Sequence, residues 1–241
     1  MNKGGVLAVV LGASLVAAPS YLLAYTGGDV KDGGSISGTV KFAGSAPAPK
    51  KLEVTKDKEV CAKGGEKVDK SLVVSNGNIE YAVVTITDIK TGKKIDAKKI
   101  NLDQKDCEYH PHVVAFPVGT PLEINNPDGI LHNIHSYSKV NPTFNIAQPK
   151  FKKTVEVKIE KPEAINVKCD VHGWMNGWVV ATDNPYVAVT DSSGAFKLTD
   201  VPAGNYTVQV WHETLANQKP VTMKVTVKAK EDAKANFELK K

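Results

Sequence analysis

Residues 165–182 read INVKCDVHGWMNGWVVAT. The ends of this stretch, INVKC (165–169) and WVVAT (178–182), are short strand-like runs. Between them one short loop gathers Cys169, His172 and Met175. Runs of the same kind lie on both sides: SISGTVKF (35–42), SLVVS (71–75), IEYAVVTITDI (79–89), VVAFPVG (113–119), PLEINN (121–126), KTVEVKIE (153–160), AFKL (195–198), NYTVQVW (205–211) and VTMKVTVK (221–228). Gly, Pro, Asn and Asp separate them, and helical periodicity is almost absent. Many short strands at this spacing predict an all-β sandwich or barrel. Tyr206, Val208 and Val210 fall on one strand face, as do Val221, Met223, Val225 and Val227. Glu213 to Asn217 is the one weak helical candidate.

The chain has 241 residues. At about 150 residues per domain this is one large domain or two small ones. Hydrophobic residues make up 41% and charged residues 24%, an ordinary globular balance that excludes a multi-pass membrane protein, a collagen and a fully disordered chain. All 31 basic residues are lysine and the net charge is +5. Base reading in nucleic acids leans on the bidentate arginine fork, so no nucleic-acid partner is expected and the lysines read as a solvated surface.

At the N-terminus, Lys3 precedes an apolar run that ends near Leu22-Leu23-Ala24. Residues 1–25 therefore read as a secretory signal, or as an uncleaved membrane anchor, since Gly4 to Ala24 is long enough to span a bilayer. Either way the folded part is exported, to the periplasm or the cell surface. Disulfides are expected there. The cysteines are Cys61, Cys107 and Cys169, an odd number that leaves one unpaired. Cys169 has a histidine and a methionine beside it; Cys61 and Cys107 do not. We expect a Cys61–Cys107 disulfide, with Cys169 free for metal.

Upstream of the Cys169 loop lies His132-Asn-Ile-His135, just after the turn-like Asn126-Pro-Asp-Gly129. One thiolate, two imidazoles and a thioether form the ligand set of a blue-copper site. Alternate residues on a strand face opposite sides, so His132 and His135 compete for the upstream position. The segment from about 96 to 182 resembles the cupredoxins, most closely the amicyanin type. The resemblance rests on the Cys169-x-x-His172-x-x-Met175 loop, the His132-Asn133 motif, and the run from Pro111 through Val118-Gly119 to Asn125-Asn126. It implies one type 1 copper held by His132, Cys169, His172 and Met175, with Asn133 tying the two ligand loops together. It also implies electron passage at an exposed edge of His172, with Trp174 and Trp178 as an apolar collar. His110, His112 and His135 are candidates for an accessory metal site; His212 suggests no function.

The text TDSSGAFKLTDVPAGNYTVQVW (190–211) resembles the carboxypeptidase regulatory-like, transthyretin-like β-sandwich, as do GSISGTVKFAG (34–44) and YAVVTITDIKTGK (81–93). The resemblance implies a second sandwich made of residues 34–95 and 186–241, with the cupredoxin (96–182) inserted. Insertion is plausible where the ends of a domain lie close together; a tandem layout is the alternative. No G-x-S-x-G, H-E-x-x-H or phosphate loop is present, and a copper ion with four protein ligands has no open position, so no enzyme is expected. The implied function is single-electron transfer with a c-type cytochrome or a periplasmic oxidoreductase. A copper carrier or storage protein, or a surface protein with a copper-stapled fold, are the competing readings.

Overall fold

The computed structural model describes Met1 and residues 25–96 and 98–241. The expected signal or anchor lies outside the described residues apart from its two ends. The chain is nearly all β, and its strands form two sandwiches.

The inner sandwich uses residues between Ile100 and Thr182. One sheet runs in the order Glu108–His110, Ile100–Lys105, Pro121–Asn125, Thr154–Lys158; the other runs Val113–Pro117, Asn176–Thr182, Glu163–Lys168, His132–Tyr137, Asn145–Gln148. Strand alternation explains the layers. Leu122 and Ile124 of one sheet, and Ile165 and Val167 of the other, point into a shared core with Leu102, Phe116, Ile134 and Val179.

The outer sandwich takes strands from both sides of that segment. Val187–Val189, Val83–Ile86, Gly204–Trp211 and Val221–Val227 form one sheet in that order. The other is built on Gly34–Phe42, which pairs antiparallel with Ala195–Val201 and parallel with Asp232–Lys234 and Phe237–Leu239. Ile36, Val40, Ile86, Phe196, Val208, Val210 and Phe237 lie in its core. Val83, Val113 and Val180 join the two sandwiches, with Tyr81, Trp178 and Trp211 packed around them.

Two sequence expectations need correction. The helix expected at Glu213 to Asn217 is a single 3-10 turn at Ala216–Gln218. Glu213 is instead buried at the joint, where its carboxylate meets His112 and accepts the Trp178 Nε1 proton at 2.7 Å. Residues 34–95 also do not all belong to the outer sandwich. Lys51–Leu52 and Lys67–Val68 pair as a short antiparallel ladder flanking the helix Lys58–Cys61. This strap lies on the inner sandwich because Val54, Val60 and Cys61 find apolar contacts in that core. Cys61 is disulfide-bonded to Cys107.

Candidate metal centre

His132 opens the strand His132–Tyr137, opposite Gln148. Cys169 follows directly on Glu163–Lys168, which pairs with the same strand. The loop after it closes tightly: Met175 N–H donates to the His172 carbonyl at 2.9 Å, and Cys169 N–H to the Met175 carbonyl at 3.3 Å. Two neighbouring strands of one sheet thus bring the ligand candidates to the same end of the inner sandwich.

His132, Cys169 and His172 form a buried cluster whose ligand atoms all lie within 4.8 Å of one another. His132 Nδ1 is 3.0 Å from His172 Nδ1, and Cys169 Sγ is 3.8 Å from His172 Nδ1. The outer ring nitrogens are both taken by carboxylates. His132 Nε2 is 2.9 Å from Asp128 Oδ2, and His172 Nε2 is 2.8 Å from Asp57 Oδ2. A carboxylate oxygen only accepts, so each Nε2 carries a proton, and in a neutral imidazole the Nδ1 is then a lone-pair acceptor. Two such lone pairs and a sulfur face one another in a buried space. A cation, either protons or a metal ion, is needed there to offset the repulsion.

The electrostatics of the thiol agree. Burial alone would raise the Cys169 pKa. Hydrogen bonds from His132 and His172, with the backbone N–H groups of Asn133 and His172, outweigh it and hold the thiol at about 6. At neutral pH it is largely thiolate, the form that binds metals. Burial would lower His132, but its bonds to Asp128 and Cys169 raise it instead. Soft thiolate with two imidazoles suits copper. Met175 is 1% exposed, belongs to the same core as Cys169, and closes the loop through its backbone bonds to His172 and Cys169.

Asn133 sits between the two ligand segments. Its Oδ1 accepts the Asp170 N–H at 2.7 Å and lies 3.4 Å from Cys169 Sγ, while its Nδ2 donates to Asp170 and Asn145. His135 points away from the cluster. It is bonded to Asp170 at 3.1 Å and stacked on Tyr137, as strand alternation requires when His132 faces inward.

The accessory metal site is not formed. Among the described residues, no metal-ligating cluster includes His110, His112 or His135. His112 is buried against Glu213 at the joint, His110 lies on Glu108–His110, and His135 is committed to Asp170. The exposed His172 edge is a second correction: His172 is 0% exposed. The strap covers it, with Asp57 on its outer nitrogen. Trp174 packs on the His172 ring at 5.2 Å and donates its Nε1 proton to the Cys107 carbonyl at 3.1 Å. Trp178 stands at the joint, 5.1 Å from the Trp211 ring. The collar is therefore a strap and one tryptophan.

Copper proteins are among the solved structures that part of this chain resembles. One is a Cu-containing nitrite reductase from Thermus scotoductus SA-01, 18% identical over 37% of this chain and 24% of that one, with a TM-score of 0.34. The chain thus spans about a quarter of that enzyme's length. Others are a purple cupredoxin from Nitrosopumilus maritimus (22% identity, 34% of this chain, 98% of that one, TM-score 0.30) and amicyanin from Paracoccus versutus (17%, 41%, 97%, 0.32). Residues 158–235 match the family model for polysaccharide lyase family 4, domain II, which spans the joint between the sandwiches. No curated protein matches the chain.

Asp57 and Asp128 escaped the sequence reading. Asp128 carried a signal only as part of the Asn126-Pro-Asp-Gly129 turn, four residues before His132. Asp57 is 115 residues from its partner, and nothing local marks it.

Proposed function

We propose that this chain is an exported, type 1-like copper protein that carries single electrons between redox partners. The observation that carries the reading is the convergence of His132 Nδ1, His172 Nδ1 and Cys169 Sγ in one buried space. Bound there, copper would supply a one-electron couple between Cu(II) and Cu(I). The chain's part is to hold the donors still. Both imidazoles are fixed from behind by carboxylates, the loop is closed by its own backbone bonds, and Asn133 ties one ligand segment to the other. A site held this rigidly changes little when the ion changes charge, which favours fast transfer. The same burial and rigidity disfavour a carrier that must surrender its ion.

Four protein ligands, with Met175 as the weak fourth, leave no position for substrate, so the reading is of a carrier of electrons and no enzyme. The disulfide supports an oxidising compartment, periplasmic or extracellular. A c-type cytochrome or a periplasmic oxidoreductase fits as partner, with the exposed lysines favouring an acidic docking face. The test is the visible and EPR spectrum after addition of Cu(II). An intense thiolate-to-copper band with narrow hyperfine splitting, lost in Cys169→Ser, is expected. A colourless protein, or a weak ordinary Cu(II) spectrum unchanged by Cys169→Ser, overturns the reading.

A further inference from the structure

An aspartate immediately before a helix ordinarily turns its carboxylate onto the first free backbone N–H groups. Asp57 precedes Lys58–Cys61 and makes no such bond. Its backbone takes φ 48° and ψ 43°, the left-handed region that residues other than glycine seldom enter. The carboxylate is directed instead to His172 Nε2, at 2.8 Å. The residue thus gives up its local partner and an easy backbone conformation for one contact made 115 positions away.

The anchoring of that contact is specific. Four positions on, Cys61 is bonded to Cys107. The Cys107 N–H donates to Asp128 Oδ2 at 2.8 Å, and the same oxygen accepts the His132 Nε2 proton. Asp106 N–H occupies Asp128 Oδ1 at 2.8 Å. The two carboxylates behind the two histidines are therefore organised by one disulfide and its flanking backbone. Cys61 and Cys107 also lie within 4.8 Å of His172, so the bridge packs against the ring it helps to orient.

We propose that Asp57 is a positioning residue for the metal centre. It fixes His172 as the Nε2–H tautomer with Nδ1 turned to Cys169. Its negative charge also makes that imidazole a more electron-rich ligand, which favours the more highly charged state of the bound ion. Asp128 does the same for His132. The proposal rests on the copper reading for its effect on potential, while the hold on the ring exists with or without metal.

Two substitutions separate the two roles. Asp57→Asn keeps an acceptor oxygen and removes the charge; Asp57→Ala removes both. In the copper-loaded full chain, Asp57→Asn is expected to raise the midpoint potential at unchanged thermal stability. Asp57→Ala is expected to raise it further and to weaken Cu(II) binding about tenfold or more. Glu59→Gln, an exposed carboxylate on the same strap, leaves both quantities unchanged. In the metal-free chain, nitrogen NMR of His172 is expected to show the Nε2–H tautomer, lost to a tautomer mixture in Asp57→Ala. If Asp57→Ala does not fold, Asp57→Asn carries the test. A potential the same in the wild type and Asp57→Asn, or a tautomer unchanged in Asp57→Ala, overturns the proposal. A chain that binds no copper defeats the functional reading alone, because the NMR arm still decides whether Asp57 holds His172.

Discussion

Asp128 shows how much one side chain can carry at this site. It accepts from His132 Nε2 at 2.9 Å and from the backbone N–H groups of Asp106 and Cys107 at 2.8 Å each. Burial would raise its pKa, but the bond from His132 and those two N–H groups lower it below the usual carboxylate range. Removing it strands three donors, one of them on a fully buried ring. Each unsatisfied buried group costs ~1–3 kcal/mol. Asp128→Ala is therefore expected to lower the unfolding free energy of the metal-free chain by about 3 kcal/mol. Asp128→Asn, which keeps an acceptor oxygen, is expected to lose about 1 kcal/mol. Urea denaturation of the two variants checks this. Equal losses would mean that acceptor geometry is irrelevant and charge alone matters.

At the scale of elements, the strap decides whether the centre is open or closed. It is held by the disulfide, by the apolar contacts of Val54 and Val60, and by the buried Lys67, whose ammonium is 3.3 Å from Glu108. The bridge closes a loop between residues 46 positions apart, for which chain entropy predicts ~4 kcal/mol of stabilisation. A Cys61→Ser, Cys107→Ser double variant is expected to lose up to about this much, with amide exchange rising over residues 51–70 more than in the sheets. Unchanged exchange there would show that packing alone holds the strap. The strap also marks the limit of what the sequence discloses. Strands such as Pro121–Asn125 and Glu163–Lys168 are legible because a period of two is local and one face is buried. The Cys169 loop is legible because three ligand types within seven residues have few other uses. The pairing of Cys61 with Cys107 is legible once Cys169 is set aside by the histidine and methionine beside it. That the strap crosses to the inner sandwich is not legible, because short apolar positions such as Val54 and Val60 would suit either core. The assignment of Trp178 and His112 to the joint is hidden for a similar reason: Trp211 ends a strand and Glu213 follows it in text that reads as a weak helix, and neither marks a distant partner.

For the whole molecule, the joint between the sandwiches holds a buried histidine that makes folding sensitive to acid. His212 is buried beside that contact and accepts the Thr214 N–H at 3.2 Å on Nδ1. Burial, aided by the nearby charge of His112, holds its pKa down at about 4 against an ordinary value of 6.5. The groups around it include His112 and Glu213, which are paired with each other, and the Trp178 indole bonded to the same Glu213 carboxylate. The sign follows from proton counting. Between the two pKa values the unfolded chain binds a proton on His212 that the folded chain excludes, so folding is favoured by higher pH in that window. The contribution is complete above pH 6.5 and is lost progressively as the pH falls towards 4, amounting to roughly 3 kcal/mol at most. Urea midpoints measured from pH 7.5 to 4 should therefore fall for the wild type and fall less steeply for His212→Gln, even if that variant starts from a lower stability. Parallel curves for the two proteins would move the acid sensitivity away from the joint.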